Sequence, residues 1–213
     1  EQWGITPELR EKIMRMALSK GGEDCDLFFQ HSSSTSVRLS DRKVNSAATH
    51  VDLGMGVRVV IGDQVGYSYS EDLSPQALLK AAQTAASIAS QAPQRVVVPA
   101  RVQDLPTYYH AQQPWDQQGM QTRVDMIRSW EQGAFSLDQR VRRVDCYLAD
   151  GASVIMIARP DGRLFEDWRP MTMGFVRCTV EENGIIESNH YNVAARAGLE
   201  FYDKAETAYG KAI

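Results

Sequence analysis

The sequence predicts an α+β fold, two units of mostly antiparallel meander sheet packed with helices. Three observations carry this. Long stretches are rich in Phe, Val, Ser and Thr, the composition of strands. Short turn dipeptides of the Asx-Gly and Gly-Asp kind separate those stretches, too short for a parallel crossover. Two segments open with a capping hydroxyl followed at once by proline, Thr6-Pro7 and Ser74-Pro75.

In chain order, residues 5–20 read as a helix, with Leu9, Ile13, Met16 and Ala17 on one face and Gly21-Gly22 as its stop. About four strands follow, with one turn at Ser40, Asp41 and Arg42 and a hairpin at Gly62 and Asp63. The alanine-rich run after Pro75 is a second helix, offering Leu78, Leu79, Ala82, Ala86 and Ala89 for packing. Pro93, Pro99, Pro106 and Pro114 then punctuate a Gln-rich segment. The boundaries expected are a first domain at 1–91, a linker at 92–119 and a second domain at 120–213. That second domain begins with a helix at 121–138, carrying Val124, Ile127 and Trp130. It continues as a meander turning at Asp150-Gly151, Asp161-Gly162 and Asn183-Gly184. The tail after Asp203 reads as the opening of another helix.

The 213 residues carry a net charge of −4, with 43% hydrophobic and 23% charged residues, the composition of a soluble globular protein. An acidic chain gives no long-range attraction for nucleic acid, and no apolar run is long enough to span a membrane. Cys25, Cys146 and Cys178 have no CxxC pairing and read as reduced core thiols in a cytoplasm. The chain starts at Glu1 rather than Met, so an upstream segment is expected, and an exported form stays open.

Gly54 and Gly56, followed by Val57, Val59, Val60 and Ile61, raise the question of a phosphate cradle. A dinucleotide loop needs a helix directly after its glycines, and here a strand follows; a P-loop needs Gly-Lys-Ser/Thr, which is absent. The glycines read instead as places where a strand is thinned for a close neighbour or a bulge.

That same stretch, Asp52-x-Gly54-x-Gly56-Val57-Arg58-Val59, precedes Gly66-Tyr67-Ser68-Tyr69-Ser70 and Asp72-Leu73-Ser74-Pro75-x-Ala77-Leu78. With residues 24–47 upstream, this ordered set resembles the N-terminal domain of the TldD/PmbA family, once called modulators of DNA gyrase. Asp161-Gly162, Glu166-Asp167, Arg169-Pro170 and the strand before Asn183-Gly184 resemble the TldD side more than PmbA. Where such chains often carry a glycine run ending in Arg, this one reads Ser188 to Arg196 without it. The resemblance implies a bacterial zinc metallopeptidase whose H-E-x-x-x-H helix lies in a C-terminal domain, with zinc expected in that half and no cofactor in this one. It also implies a homologous second subunit, as homo- or heterodimer, and a peptide substrate.

The residues themselves supply no such chemistry. His31, His50, His110 and His190 are isolated, without a second ligand at metal spacing; His190, beside Tyr191 and Arg196, is the one placed to face a cleft. Ser32-Ser33-Ser34 with Thr35 lacks a positioned base. Glu166-Asp167 and Glu181-Glu182 are adjacent on strands and point to opposite faces. Arg140, Arg142 and Arg143 read as partners for nearby acids. No catalytic, metal or substrate-binding residue is assigned. The reading is therefore the non-catalytic N-terminal half of a TldD-like peptidase that cleaves unfolded peptides or small proteins, forming cleft wall and partner interface, with edges open to β-addition. The alternative is a non-enzymatic PmbA-like partner or peptide-binding module. A DNA-associated regulator is disfavoured by the acidity.

Overall fold

Thr6 opens the first helix, α1 (Pro7–Ala17), as the sequence requires: its side chain accepts a hydrogen bond from Leu9 N at 3.2 Å, and Pro7 occupies the first turn. Thr6→Ala is expected to cost about 1 kcal/mol, read as a lower urea midpoint at unchanged slope. The computed structural model describes residues 3–88, 97–104, 106, 108–204 and 212. Ala89 and nearly all of the tail helix expected after Asp203 lie outside them.

The strands are longer than their sequence signals suggest. They are β1 (Asp24–Ser40), β2 (Lys43–Ile61), β3 (Gln64–Ser70), β4 (Arg101–Val102), β5 (Val141–Ala158), β6 (Arg163–Glu182) and β7 (Ile185–Ala195). The helices after α1 are α2 (Pro75–Ile88), α3 (Met120–Leu137) and the short α4 (Phe201–Lys204), and a 3-10 turn lies at Trp115–Gln117. Hydrogen bonding orders the strands β3-β2-β1-β5-β6-β4, with β7 also on β6. The pairings β2–β3 and β6–β7 are antiparallel hairpins, as expected, while β4 lies parallel to β6 at Arg101↔Arg163 and Val102↔Leu164. The segment expected as a plain linker thus contains a strand.

Two compact units form, and they do not follow the boundary expected at 92–119. The first comprises Glu1–Ser32, Asp52–Thr107 and Val154–Trp168; the second comprises Ser33–Val51, Tyr108–Ser153 and Arg169–Ile213. The reason is strand length. The strands β1, β2, β5 and β6 each pass from one unit to the other part-way along.

In the first unit, Ile13, Met14 and Ala17 of α1 and Leu78, Ala82 and Ala85 of α2 cover Leu27 and Phe29 of β1 and Val57 and Val59 of β2. Each large side chain fully removed from water here contributes about 1.5–3 kcal/mol. Small residues on α2 let it lie close. In the second unit, Ile127, Trp130 and Ala134 of α3 pack on Val37, Leu39, Val144, Cys146, Leu148, Val176 and Cys178. Buried and open positions alternate along much of β1, β5 and β6, as in strands with one face on a core.

Asp161-Gly162 and Asn183-Gly184 are turns as expected, with Gly162, Asn183 and Gly184 at positive φ. Asp150-Gly151 is not one: both residues lie inside β5. A Cβ on Gly151 would stand 2.2 Å from Ser33 O and 2.9 Å from Ser34 Cα, so this glycine admits the neighbouring β1 main chain rather than a reversal.

Candidate functional site

The glycine-rich strand is explained by close neighbours of two kinds. A Cβ on Gly54 would come within 3.0 Å of Ser70 O, and one on Gly56 within 2.7 Å of Tyr67 Oη. Thinning β2 here opens a concavity of about 440 Å3 on the face of the first unit's sheet turned away from α1 and α2. Phe28, Tyr67 and Phe165 supply apolar walls. Arg58 Nε donates to Asp26 Oδ2 at 2.7 Å; Arg159 pairs with Asp24, and its Nε lies 3.6 Å from Asp26. Arginine and aspartate alternate, so the charges on this face neutralise one another.

In the second unit, Asp150 turns inward to meet Arg123 of α3 in a buried fork, Nε to Oδ2 at 2.7 Å and Nη2 to Oδ1 at 2.6 Å. The remaining donors of Arg123 reach Gln118 O, Gly119 O and Trp115 O, and its guanidinium lies 5.1 Å from the centroid of the Trp115 ring. Burial pushes the Asp150 carboxyl above its ordinary value, while the Arg123 hydrogen bonds and charge pull against it without cancelling it. A cavity of about 320 Å3 beside the pair is lined by Ser33, Thr35 and Thr49. Every donor of Arg123 is occupied, so the pair ties the 3-10 turn and the start of α3 to β5 rather than offering a free charge.

The other residues weighed in the sequence fall as follows. His31, His50, His110 and His190 are all exposed, on β1, on β2, before the 3-10 turn and on β7. His31 meets Trp3 edge-on, and His190 stacks on Phe175 at 5.5 Å. Arg196 lies over Tyr109 rather than joining His190. The hydroxyl run meets other polar groups, Ser32 donating to Asp52 at 3.5 Å and Thr35 paired with Thr49 at 3.0 Å. Arg140 pairs with Asp138 and Glu182, Arg142 with Glu181, and Arg143 with Asp145 and Asp41. Burial pushes the thiols of Cys25 up to about 12 and Cys178 up to about 11, and raises that of Cys146 as well, which disfavours the thiolate at all three.

Among the described residues no three His, Cys, Asp or Glu side chains come together as a metal site. These residues do not fit a zinc ion, which needs three or four such ligands. No helix among the described residues is long and apolar enough to cross a membrane.

Residues 25–89, which form β1, β2, β3 and α2, match the family model described as PmbA/TldA metallopeptidase domain 1. A Haemophilus influenzae protein named Metalloprotease TldD homolog is 27% identical over 179 residues, covering 83% of this chain and 37% of that protein. One of the same name from Buchnera aphidicola of Schizaphis graminum is 26% identical over 186 residues, covering 87% and 38%. The chain is thus similar to the first domain of PmbA/TldA metallopeptidases over residues 25–89, and to TldD homologues over most of its length. It spans little more than a third of the length of these TldD relatives. Among solved structures, a Bacteroides thetaiotaomicron protein named a modulator of DNA gyrase shares the fold at TM-score 0.72 and 17% identity, over 96% of this chain and 48% of that one. TldE from Thermococcus kodakarensis shares it at TM-score 0.67 and 13% identity, over 96% and 47%.

Sequence reasoning found the TldD/PmbA strands but missed Arg123 with Asp150, and the arginines on the open sheet faces. The signal for the first was an aspartate at a core-facing strand position, which requires a buried partner.

Proposed function

We propose that this chain is the non-catalytic first part of a TldD-type zinc peptidase acting on unfolded peptides or small proteins. It supplies cleft wall and the interface for a homologous second subunit, as homo- or heterodimer. The observation that carries this is the match of residues 25–89 to a metallopeptidase first domain. In this reading the zinc would be held by a C-terminal half, since the described residues bring no three His, Cys, Asp or Glu side chains together. Edge strands β3 and β7, each hydrogen-bonded to one neighbour among the described residues, suit β-addition of an extended peptide. Its unpaired cysteines suit a cytoplasmic setting.

A second reading, a non-enzymatic PmbA-like partner, is favoured by the fold shared with TldE and by the Ser188 to Arg196 segment, which lacks the glycine run. The test is to purify the complete natural protein and measure bound zinc and cleavage of an unfolded peptide, with and without a chelator. Chelator-sensitive cleavage and one zinc per chain are expected, with neither in residues 1–213 alone. A complete protein that holds no zinc and cleaves nothing, yet copurifies with a zinc peptidase, would establish the second reading.

A further inference from the structure

The second unit's sheet has two faces. One packs on α3 through Val37, Leu39, Val144, Cys146, Leu148 and Val176. The strand neighbours of these residues turn to the opposite face and line a concavity of about 470 Å3, within the range of ligand pockets. Arg38 of β1, Arg143 of β5 and Arg177 of β6 converge there, with Asp145 as the one carboxylate.

Those charges are not balanced. Asp145 is taken by Arg143, whose Nη2 donates to it at 2.9 Å and to Ser40 Oγ at 2.8 Å. Ser40 Oγ also donates to Asp145. Burial pushes the Asp145 carboxyl up, but these bonds and the nearby guanidinium charges of Arg143 and Arg177 outweigh it, and its net shift is downward. The carboxylate is therefore ionised and already partnered. Neither Arg38 nor Arg177 forms an ion pair among the described residues. Arg38 lies 5.1 Å from the Tyr147 ring centroid. Arg177 sits opposite His190 in the β6–β7 register, and His190 stacks on Phe175. Two exposed guanidiniums with no ion pair among the described residues, Arg38 over Tyr147 and Arg177 in the same lining as Phe175, stand on one face of a chain whose net charge is −4.

We propose that this face binds acidic peptide segments, with Arg38 and Arg177 clasping carboxylates and Tyr147 and Phe175 giving the flanking apolar walls. A planar guanidinium fork matches a carboxylate. The ionised Asp145 inside the concavity repels a phosphate dianion more than a single carboxylate. The chain's net charge of −4 gives no long-range attraction to a nucleic-acid polyanion, so recognition on this face rests on short-range pairing with individual carboxylates. The site is independent of whether the complete protein is a peptidase, since it is made by this chain alone.

The test is fluorescence polarisation of the full chain with a labelled Asp/Glu-containing peptide and with its Asn/Gln counterpart. The acidic peptide is expected to bind at least about tenfold tighter, with affinity falling as salt rises. R38Q and R177Q are each expected to weaken it about tenfold or more, and R177K, which keeps the charge but loses the fork, by less. R142Q, whose arginine is outside the concavity and pairs with Glu181, is expected to change nothing. Thermal unfolding of each variant reports that it is folded; both arginines are exposed, so no loss is expected. Equal binding of the two peptides, no binding of the acidic one, or full binding by R38Q and R177Q would overturn the proposal. So would displacement of the peptide by inorganic phosphate at equal concentration, which would indicate an anion site without peptide preference.

Discussion

Arg123→Met is expected to lower stability by about 3–5 kcal/mol at neutral pH, the largest effect of any single change considered. The reason is the charge left behind. The side chain of Asp150 is 1% exposed, and both its oxygens accept from Arg123. Without that partner a buried carboxylate has nothing to offset its lost hydration. Removing both members is expected to do less harm: Arg123→Met with Asp150→Leu should regain most of the loss, because no charge is then stranded. The pH dependence has a definite sign. Burial already holds the Asp150 carboxyl above its unfolded value, so the native state binds that proton more tightly than the unfolded state, and stability falls as pH rises through the interval between the two. Loss of Arg123 removes the two influences that pull the value down, so the interval widens upward. The destabilisation should therefore be greatest near neutrality and shrink as pH is lowered toward the ordinary carboxylate range. Urea unfolding of the single and double variants at two pH values checks both statements. A single variant that unfolds at the wild-type midpoint at neutral pH would show that the pair carries no such role.

Gly151→Ala is expected to cost about 3 kcal/mol, at the top of the range for overpacking. The added methyl would meet main chain, Ser33 O at 2.2 Å and Ser34 Cα at 2.9 Å, and neither can move without separating β5 from β1. Gly56→Ala is the informative comparison. Its new methyl would meet the far end of the Tyr67 side chain at 2.7 Å, on an exposed residue free to rotate away. That variant should lose less than about 1 kcal/mol, since a strand alanine also recovers some of the entropy that glycine surrenders. A drop in melting temperature for the first and little change for the second is the expected pair of results. Equal losses would mean that the two close approaches are of the same kind.

These two sites also mark where the sequence was legible and where it was not. Asn183-Gly184 turns through two positive φ values, 53° and 80°, and Gly62 through 49°; such turns are local, and two residues suffice to specify them. Asp150-Gly151 presents the same kind of dipeptide for another purpose. Its aspartate answers Arg123 and its glycine admits Ser33, both far away in sequence, so no local reading separates it from a turn. The helix faces were legible because their spacing is local, as in Ile13 and Ala17 or Ile127 and Trp130, all buried. The units were not, because alternation says which face a residue takes but not where along a strand the packing partner changes. For the same reason Arg38 and Arg177 gave no signal as a pair; only the neighbour order of β1, β5 and β6 brings them to one concavity.

The interleaving of the two units bears on inheritance. Residues 25–89, the stretch that defines the domain in the family, include Ser33–Val51, which belong to the second unit. A gene fragment cut at those limits would carry Val37 and Leu39 without the α3 surface that covers them. Recombination at the ends of the recognised domain would therefore hand on hairpins whose second-unit halves have lost the helix that packs on them, rather than a self-sufficient module.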